Sequence, residues 1–299
     1  MNWEDRIAQI TQQRPAGSGL EQSASPTHRL PRWPDTERGV PNAILRSALF
    51  AASTKGARRY VEREHIHSLG DISILHTGPC LGQGELDVWE SVLHLARVSG
   101  RYPEIRTSIY QLLKLQGKTD AGSNCRLLHN RLVRLKASVI EIKHGQYSYM
   151  GSLIDEAFRD EGTEEYVIRL NPNLCNLFAE DAFTHVDWQV RRALSGKSLA
   201  QWLHGFYSSH AKAFSLSIGK LMRLAGSSDQ SPGSSEQNLR RALNALAMAS
   251  SLNGQPFSYS INNRKVHIDR HPTQSQLRHL RNKAAKPKTT RVKQCPRVP

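Results

Sequence analysis

The feature that most narrows the folds open to this chain is an internal echo. LLKLQG at 112–117 and LMRLAG at 221–226 agree at every apolar, basic and glycine position, at an offset of 109 residues. The next segment repeats too: Leu128, Leu132 and Leu135 stand against Leu239, Leu243 and Leu246, now offset by 111, with the two extra residues in the intervening turn. Each leucine set has the i, i+4, i+7 spacing of one helix face. Similarity at a fixed offset is the mark of one supersecondary unit used twice.

The flanking segments say what that unit is. GELDVWESVLHLARVS (84–99) puts Leu86, Trp89, Val92, Leu93 and Leu95/Ala96 near one face, the pattern of an amphipathic helix. TSIYQLLKLQG (107–117) offers Thr107 or Ser108 as an N-cap and ends at Gly117, and NCRLLHNRLVRLKAS (124–138) carries the first leucine face. Strand-forming stretches follow at 138–145, 146–154 and 164–171; Gly145 turns between the first two, and EAFRDEGTEE reads as a loop to the third. The order then recurs as helices over 198–210, 215–226 and 238–250 and a hairpin over 257–269, its tip placed at Asn262-Asn263. Helix, glycine turn, leucine-faced helix and hairpin is the order of a winged helix-turn-helix. The expected fold is therefore mainly α with small β-hairpins, an α+β class, in two tandem winged helix-turn-helix domains. The expected organisation is a flexible arm at 1–35, rich in Gln, Ser, Pro and Arg, domains at 36–171 and 172–272, and a basic tail at 273–299.

Charge enters where the outward faces are considered. Lys and Arg number 41 against 26 Asp and Glu, a formal net charge of +15, and residues 264–299 alone hold 11 bases and one acid, Asp269. Such an excess calls for a polyanionic partner, and the Pro-bearing basic stretch after Asn282 should stay extended until it meets one. If the leucines of the second copy pack inward, Gln237, Asn238, Arg240, Arg241 and Asn244 lie on or beside the outer face. Arg can bond bidentately to guanine, and Asn or Gln to adenine, in a major groove that admits a helix. Asn262, Asn263, Arg264, Lys265 and His267 at the hairpin tip would meet phosphates or the minor groove. In the first copy Arg126, His129, Asn130, Arg131, Arg134 and Lys136 hold the corresponding positions, with fewer base-reading groups. The competing reading for every one of these residues is a solvated helix face.

Other chemistries find little support. No apolar run approaches the ~20 residues of a spanning helix, and MNWEDRIAQITQQRP is not a signal peptide, so no membrane partner is expected. Cys80, Cys125, Cys175 and Cys295 are dispersed without a C-x-x-C pair, which argues against a zinc ribbon and fits a reducing cytoplasm. No phosphate-binding G-x-x-x-x-G-K-[ST] run occurs, Ser209-His210 and His204 lack an acid at diagnostic spacing, and Glu85 and Asp87 suit a first helical turn. His65-Ile66-His67 spells the His-hydrophobe-His core of a metal-dependent nickase, with Tyr110 as the available nucleophile, but no third ligand follows from spacing. The expectation is a protein that is not an enzyme and holds no cofactor or metal.

Four long runs add a family. LPRWPDTERGVPNAILRSALFAAS (30–53), LDVWESVLHLAR (86–97), YMGSLIDEAFRDE (149–161) and WLHGFYSSHAKAFSLSIGKLMRLAGSS (202–228) resemble the TrfA family of plasmid replication initiators, over about residues 30–260. The resemblance implies winged-helix domains that bind repeated origin sites (iterons) in double-stranded DNA as monomers. It also implies origin opening, recruitment of the host initiator, helicase and sliding clamp, a poorly binding or inhibitory homodimer, and a part in copy control. Leu49 and Phe50, in the matching SALF segment, resemble a sliding-clamp-binding peptide, with Arg46 where such a peptide prefers Gln. The alternative is that both pack under the first domain. A winged-helix transcription regulator without initiator activity is the rival class.

Overall fold

The computed structural model describes the whole chain except residues 1–28, 53–58, 146, 164, 180, 213, 228–230 and 286–299. The first part runs β1 (Glu37–Pro41), α1 (Asn42–Leu45), β2 (Phe50–Ala51), β3 (Tyr60–His65), β4 (Ser73–Pro79), β5 (Leu81–Gly82), α2 (Gln83–Ser99), β6 (Glu104–Ser108), α3 (Ile109–Leu115) and α4 (Gly122–Lys136). It continues with β7 (Val139–His144), β8 (Tyr147–Ser152), β9 (Glu156–Asp160), β10 (Glu165–Arg169), a 3₁₀ turn at Pro172–Phe178, and β11 (Phe183–Asp187). The second part holds α5 (Trp188–Ala193), α6 (Ser198–Ser208), β12 (Leu216–Ser217), α7 (Ile218–Leu224), α8 (Pro232–Leu252), β13 (Phe257–Asn262), β14 (Lys265–Arg270) and α9 (Gln274–Ala285).

The repeat is present in three dimensions. The series α2, β6, α3, α4, β9, β10 is matched by α6, β12, α7, α8, β13, β14. In each, the short strand before the middle helix pairs with the second strand of the hairpin, giving antiparallel sheets of order β6-β10-β9 and β12-β14-β13. The local chemistry repeats as well. The Ser108 hydroxyl accepts from the Gln111 amide at 3.1 Å, and the Ser217 hydroxyl from that of Lys220 at 3.3 Å, each satisfying an N-terminal donor. The middle helices stop at Gly117 (φ 68°) and Gly226 (φ 63°), left-handed positions that a side chain would strain. Their amides donate to Lys114 O and Arg223 O, both at 3.0 Å.

Four boundaries differ from expectation. The first hairpin unit is not 138–154 but β9–β10: the acidic run read as a loop is strand β9, while β7 and β8 extend a separate β3-β4-β7-β8 sheet. The division between halves falls near residue 188 rather than 171/172. Leu174, Leu177, Phe178 and Val186 still pack in the first core because β11 pairs with β1, and the second core begins at Val190. The arm ends earlier than residue 35, since Trp33 is buried against Phe178. At the other end, residues 274–285 of the expected tail form α9, tied back by Gln276 Nε2 to Ser208 O at 2.7 Å; the basic residues after Ala285 lie outside the described residues.

Each leucine set is interior as expected, and so is an ionic junction between the halves. Arg191, on α5, is fully buried, with Nε 2.8 Å from Asp87 Oδ1 and 2.9 Å from Glu90 Oε2 of α2. Its Nη2 reaches Gln83 O and Oε1, and Gln201 of α6 donates to the Asp87 carboxylate. Asp87 and Glu90 are thus junction residues, because isolated buried charges are intolerable while paired ones hold two surfaces in register.

Candidate nucleic-acid interface

Helix α8 begins at Pro232, six residues before its expected start, with Ser231 as N-cap accepting from the Ser234 amide at 3.4 Å and Pro at N1. At about 100° per residue, the buried Leu239, Ala242, Leu243, Leu246 and Ala249 define the inner face, and Gln237, Arg241, Asn244 and Met248 centre on the opposite one. Gln237, Arg240, Arg241 and Asn244 are all exposed, and Asn238 is half-buried at the flank. Arg240 also sits off the centre line, where its Nη2 pairs with Glu236 Oε1 at 2.7 Å. The pair is solvent-exposed, so it costs little to exchange for a phosphate or a base.

The hairpin packs across this helix. Phe257, Tyr259 and Ile261 face it, and Ser258, Ser260 and Asn262 face away, the period of two that a half-buried strand requires. Asn262 is the last paired residue, opposite Lys265; the turn itself is Asn263-Arg264, with φ of 49° and 57°. Two consecutive left-handed residues make the tight turn whose twist matches the strands, so the expected tip is displaced by one residue. Arg264 O accepts from the Ile218 amide at 3.0 Å, which ties the tip to the start of α7. Asn262, Asn263, Arg264, Lys265 and His267 are exposed, and two bases thereby stand at a rigid, anchored tip beside a polar helix face.

The first copy is different. Arg134 turns inward: its Nε and Nη2 donate to Glu85 Oε1 at 2.8 and 2.6 Å, and Glu85 is fully buried while its other oxygen accepts from the Gly82 amide. Arg131 is half-buried, its guanidinium laid against Gly84 with no room for a Cβ there. Arg134, expected on the nucleic-acid face, is instead committed to Glu85 and ties α4 to the start of α2, and Arg131 lies beside the same turn. His129 is 2.6 Å from the Tyr166 hydroxyl, and Lys136 donates to Asp155 O. Of the first-copy arginines assigned, only Arg126 is exposed, beside Asn130 and the half-exposed Val133.

Leu49 and Phe50 are 2% and 1% exposed, with Phe50 stacked on Trp89 at 6.4 Å. Gln83 Nε2 donates to Phe50 O at 2.6 Å, and β2 pairs in parallel with β5. The expected clamp-binding pair is core here, because a short strand carries it under α2 rather than off the end of an arm. His65 and His67 are exposed, and Tyr110 lies on α3 with Lys114 over its ring. Among the described residues no group of three His, Cys, Asp or Glu is placed to hold a metal. His204 is buried in α6, where desolvation and then the nearby Arg191 and Arg270 charges push its pKa down to about 3, so it is neutral packing. Among the described residues no helix is long and apolar enough to cross a membrane.

Sequence reasoning missed Tyr259, whose hydroxyl donates to Asn244 Oδ1 at 2.6 Å. The inward phase of the hairpin, Phe257-Tyr259-Ile261, was the signal that could have found it.

The family model described as TrfA protein matches residues 22–270. The chain belongs to the TrfA family. This TrfA-family chain is 28% identical over 203 residues to the plasmid replication initiator protein TrfA of Escherichia coli, a match covering 65% of the chain and 53% of that protein. It therefore spans about half the length of that relative. Its fold is similar to that of domains 2 and 3 of RctB, with a TM-score of 0.56 at 13% identity, covering 78% of this chain and 98% of that one. A looser overlap, TM-score 0.44 at 12% identity over 63% of this chain and 91% of that one, occurs with the Pi initiator protein in complex with iteron DNA.

Proposed function

We propose that this protein is a sequence-specific double-stranded DNA-binding initiator of plasmid replication, built from two winged helix-turn-helix modules, of which the second reads the repeated origin sites. The observation that carries the reading is the shared exposure of Gln237, Arg241 and Asn244 on α8 and of Arg264 and Lys265 at the anchored hairpin tip. A helix with amide and guanidinium groups on its outer face fits a major groove, and a basic wing beside it fits the flanking phosphates. Family membership supports the biological role, and the name of the E. coli relative supports plasmid replication initiation. Origin opening, recruitment of host initiator and helicase, and a monomer active on DNA belong to the same proposal. Recruitment of the sliding clamp through Leu49 and Phe50 does not, given their burial.

Footprinting the full chain on the plasmid that carries its gene tests the reading. Protection of direct repeats spaced near whole helical turns, beside an A+T-rich tract, is the expected result. Protection confined to a promoter palindrome would move the assignment to a transcription regulator, and equal binding to random DNA would remove sequence-specific recognition altogether. Reactive unpaired thymines beside the bound repeats, with host initiator present, are expected if the protein assists opening.

A further inference from the structure

We propose that Tyr259 is a specificity-determining residue: by donating its hydroxyl proton to Asn244 Oδ1 it turns the Asn244 amide nitrogen toward the duplex, so that Asn244 reads a keto base, guanine or thymine, rather than adenine. This rests on the reading of α8 as the base-reading helix and goes beyond it by assigning what one residue reads.

A carboxamide pairs bidentately with adenine because its oxygen accepts from N6 while its nitrogen donates to N7. In this protein the oxygen already accepts, at 2.6 Å, from the hydroxyl of the half-buried Tyr259. Tyr259 stands on β13 opposite Ile268, its ring is packed against the second core between Phe257 and Ile261, and its hydroxyl also lies 3.5 Å from Arg240 O. That hydrogen bond sets which way the amide points. With the oxygen turned toward the hairpin, the NH₂ group, a donor, is the end of the amide left facing outward from the exposed centre line of α8, one turn beyond Arg241. A donor pair suits guanine, which offers both O6 and N7, or thymine O4; adenine offers it N7 alone and leaves its own amino group without an acceptor. The tyrosine touches no base in this arrangement and acts only through Asn244.

The test is binding selection of the full chain on a library of duplexes, for wild type, Asn244→Ala and Tyr259→Phe, with thermal melting of each. The position at which Asn244→Ala abolishes base preference identifies the base pair read by that residue. Wild type is expected to favour guanine or thymine there. Tyr259→Phe frees the oxygen and is expected to move that one position toward adenine by about tenfold in relative affinity, leaving other positions and non-specific binding unchanged. A wild-type preference for adenine at that position, or a Tyr259→Phe selection identical to wild type, overturns the assignment. A uniform loss at every position together with a lowered melting temperature also overturns it, leaving Tyr259 a packing residue. If Asn244→Ala alters no position, the base-reading helix itself is misassigned and the proposal falls with it.

Discussion

Helices α4 and α8 occupy the same station in the two halves, each following a short serine-capped helix and a left-handed glycine, and each burying leucines at i, i+4 and i+7. Their outer faces nevertheless part company. In α8 the polar groups Gln237, Arg241 and Asn244 stand in solvent. In α4 Arg134 is committed to the buried Glu85, Arg131 lies against Gly84, and Val133 is among the exposed residues. The duplicated scaffold thus differs between its copies: one presents cationic and amide groups across its outer face, and the other keeps Arg126 and Lys136 exposed while Arg134 turns into the fold. The lesson is that a basic helix face is a statement about composition until the partners of each guanidinium are known.

The largest expected effect tests that division directly. Arg134→Ala leaves the Glu85 carboxylate buried without its cation and should cost about 3–5 kcal/mol of folding stability, read by denaturant unfolding. Arg241→Ala on the other helix should change stability by less than about 0.5 kcal/mol. Equal stability losses would erase the distinction. On DNA the order reverses. Arg241→Ala is expected to cost about 1–3 kcal/mol on the preferred repeat and far less on random sequence. Arg134→Ala should leave the base preference of the surviving folded protein unaltered, as competition binding would report.

A third comparison asks whether the repeated caps are equivalent. Ser108→Ala and Ser217→Ala remove the same hydrogen bond in the two copies and should each cost about 1 kcal/mol, measured by the shift of the unfolding midpoint. A loss several times larger in one copy would show that its middle helix depends on the cap rather than on packing. A separate comparison concerns the junction between the halves. Burial pushes the Glu90 carboxyl up to about 7, against the pull of Arg191 and with a further push from Asp87. A carboxyl with a raised folded pKa holds its proton more tightly in the folded chain. Its contribution to stability is therefore complete below the ordinary carboxylate range and is lost as the pH rises through about 7. Glu90→Gln should flatten the stability profile between about pH 5 and pH 8, and an unchanged profile would place the proton elsewhere.

Much of the architecture was legible because it follows from periodicity. The leucine sets of α4 and α8, the glycine stops at Gly117 and Gly226 and the hairpin at 257–270 are local patterns, and they fold as local chemistry requires. The start of α8 was read six residues late because PGSSEQ has no apolar period, although Ser231 and Pro232 spell a helix start. Strand β9 was unreadable for a different reason. Its ladder partner, β10, supplies the hydrogen bonds, and nothing in EAFRD announces that edge. The tip of the second hairpin was misplaced by one residue because Asn262-Asn263 and Asn263-Arg264 are both plausible turn pairs; the register to Lys265 decides between them.

The same division runs through the site. By itself the sequence determined that a unit is used twice, which residues of each leucine face go inside, that the chain is strongly basic, and, through long runs, its family. These follow from spacing and identity, which are properties of the chain. Only the tertiary structure decided that Arg134 answers Glu85, that Leu49 and Phe50 lie beneath α2, that Arg191 bridges Asp87 and Glu90, and that Tyr259 holds Asn244. Each of those pairs joins residues 15 to 104 positions apart or elements with no shared period. A charge or an amide is free or occupied according to what the fold brings to it, and that depends on packing that no local pattern encodes.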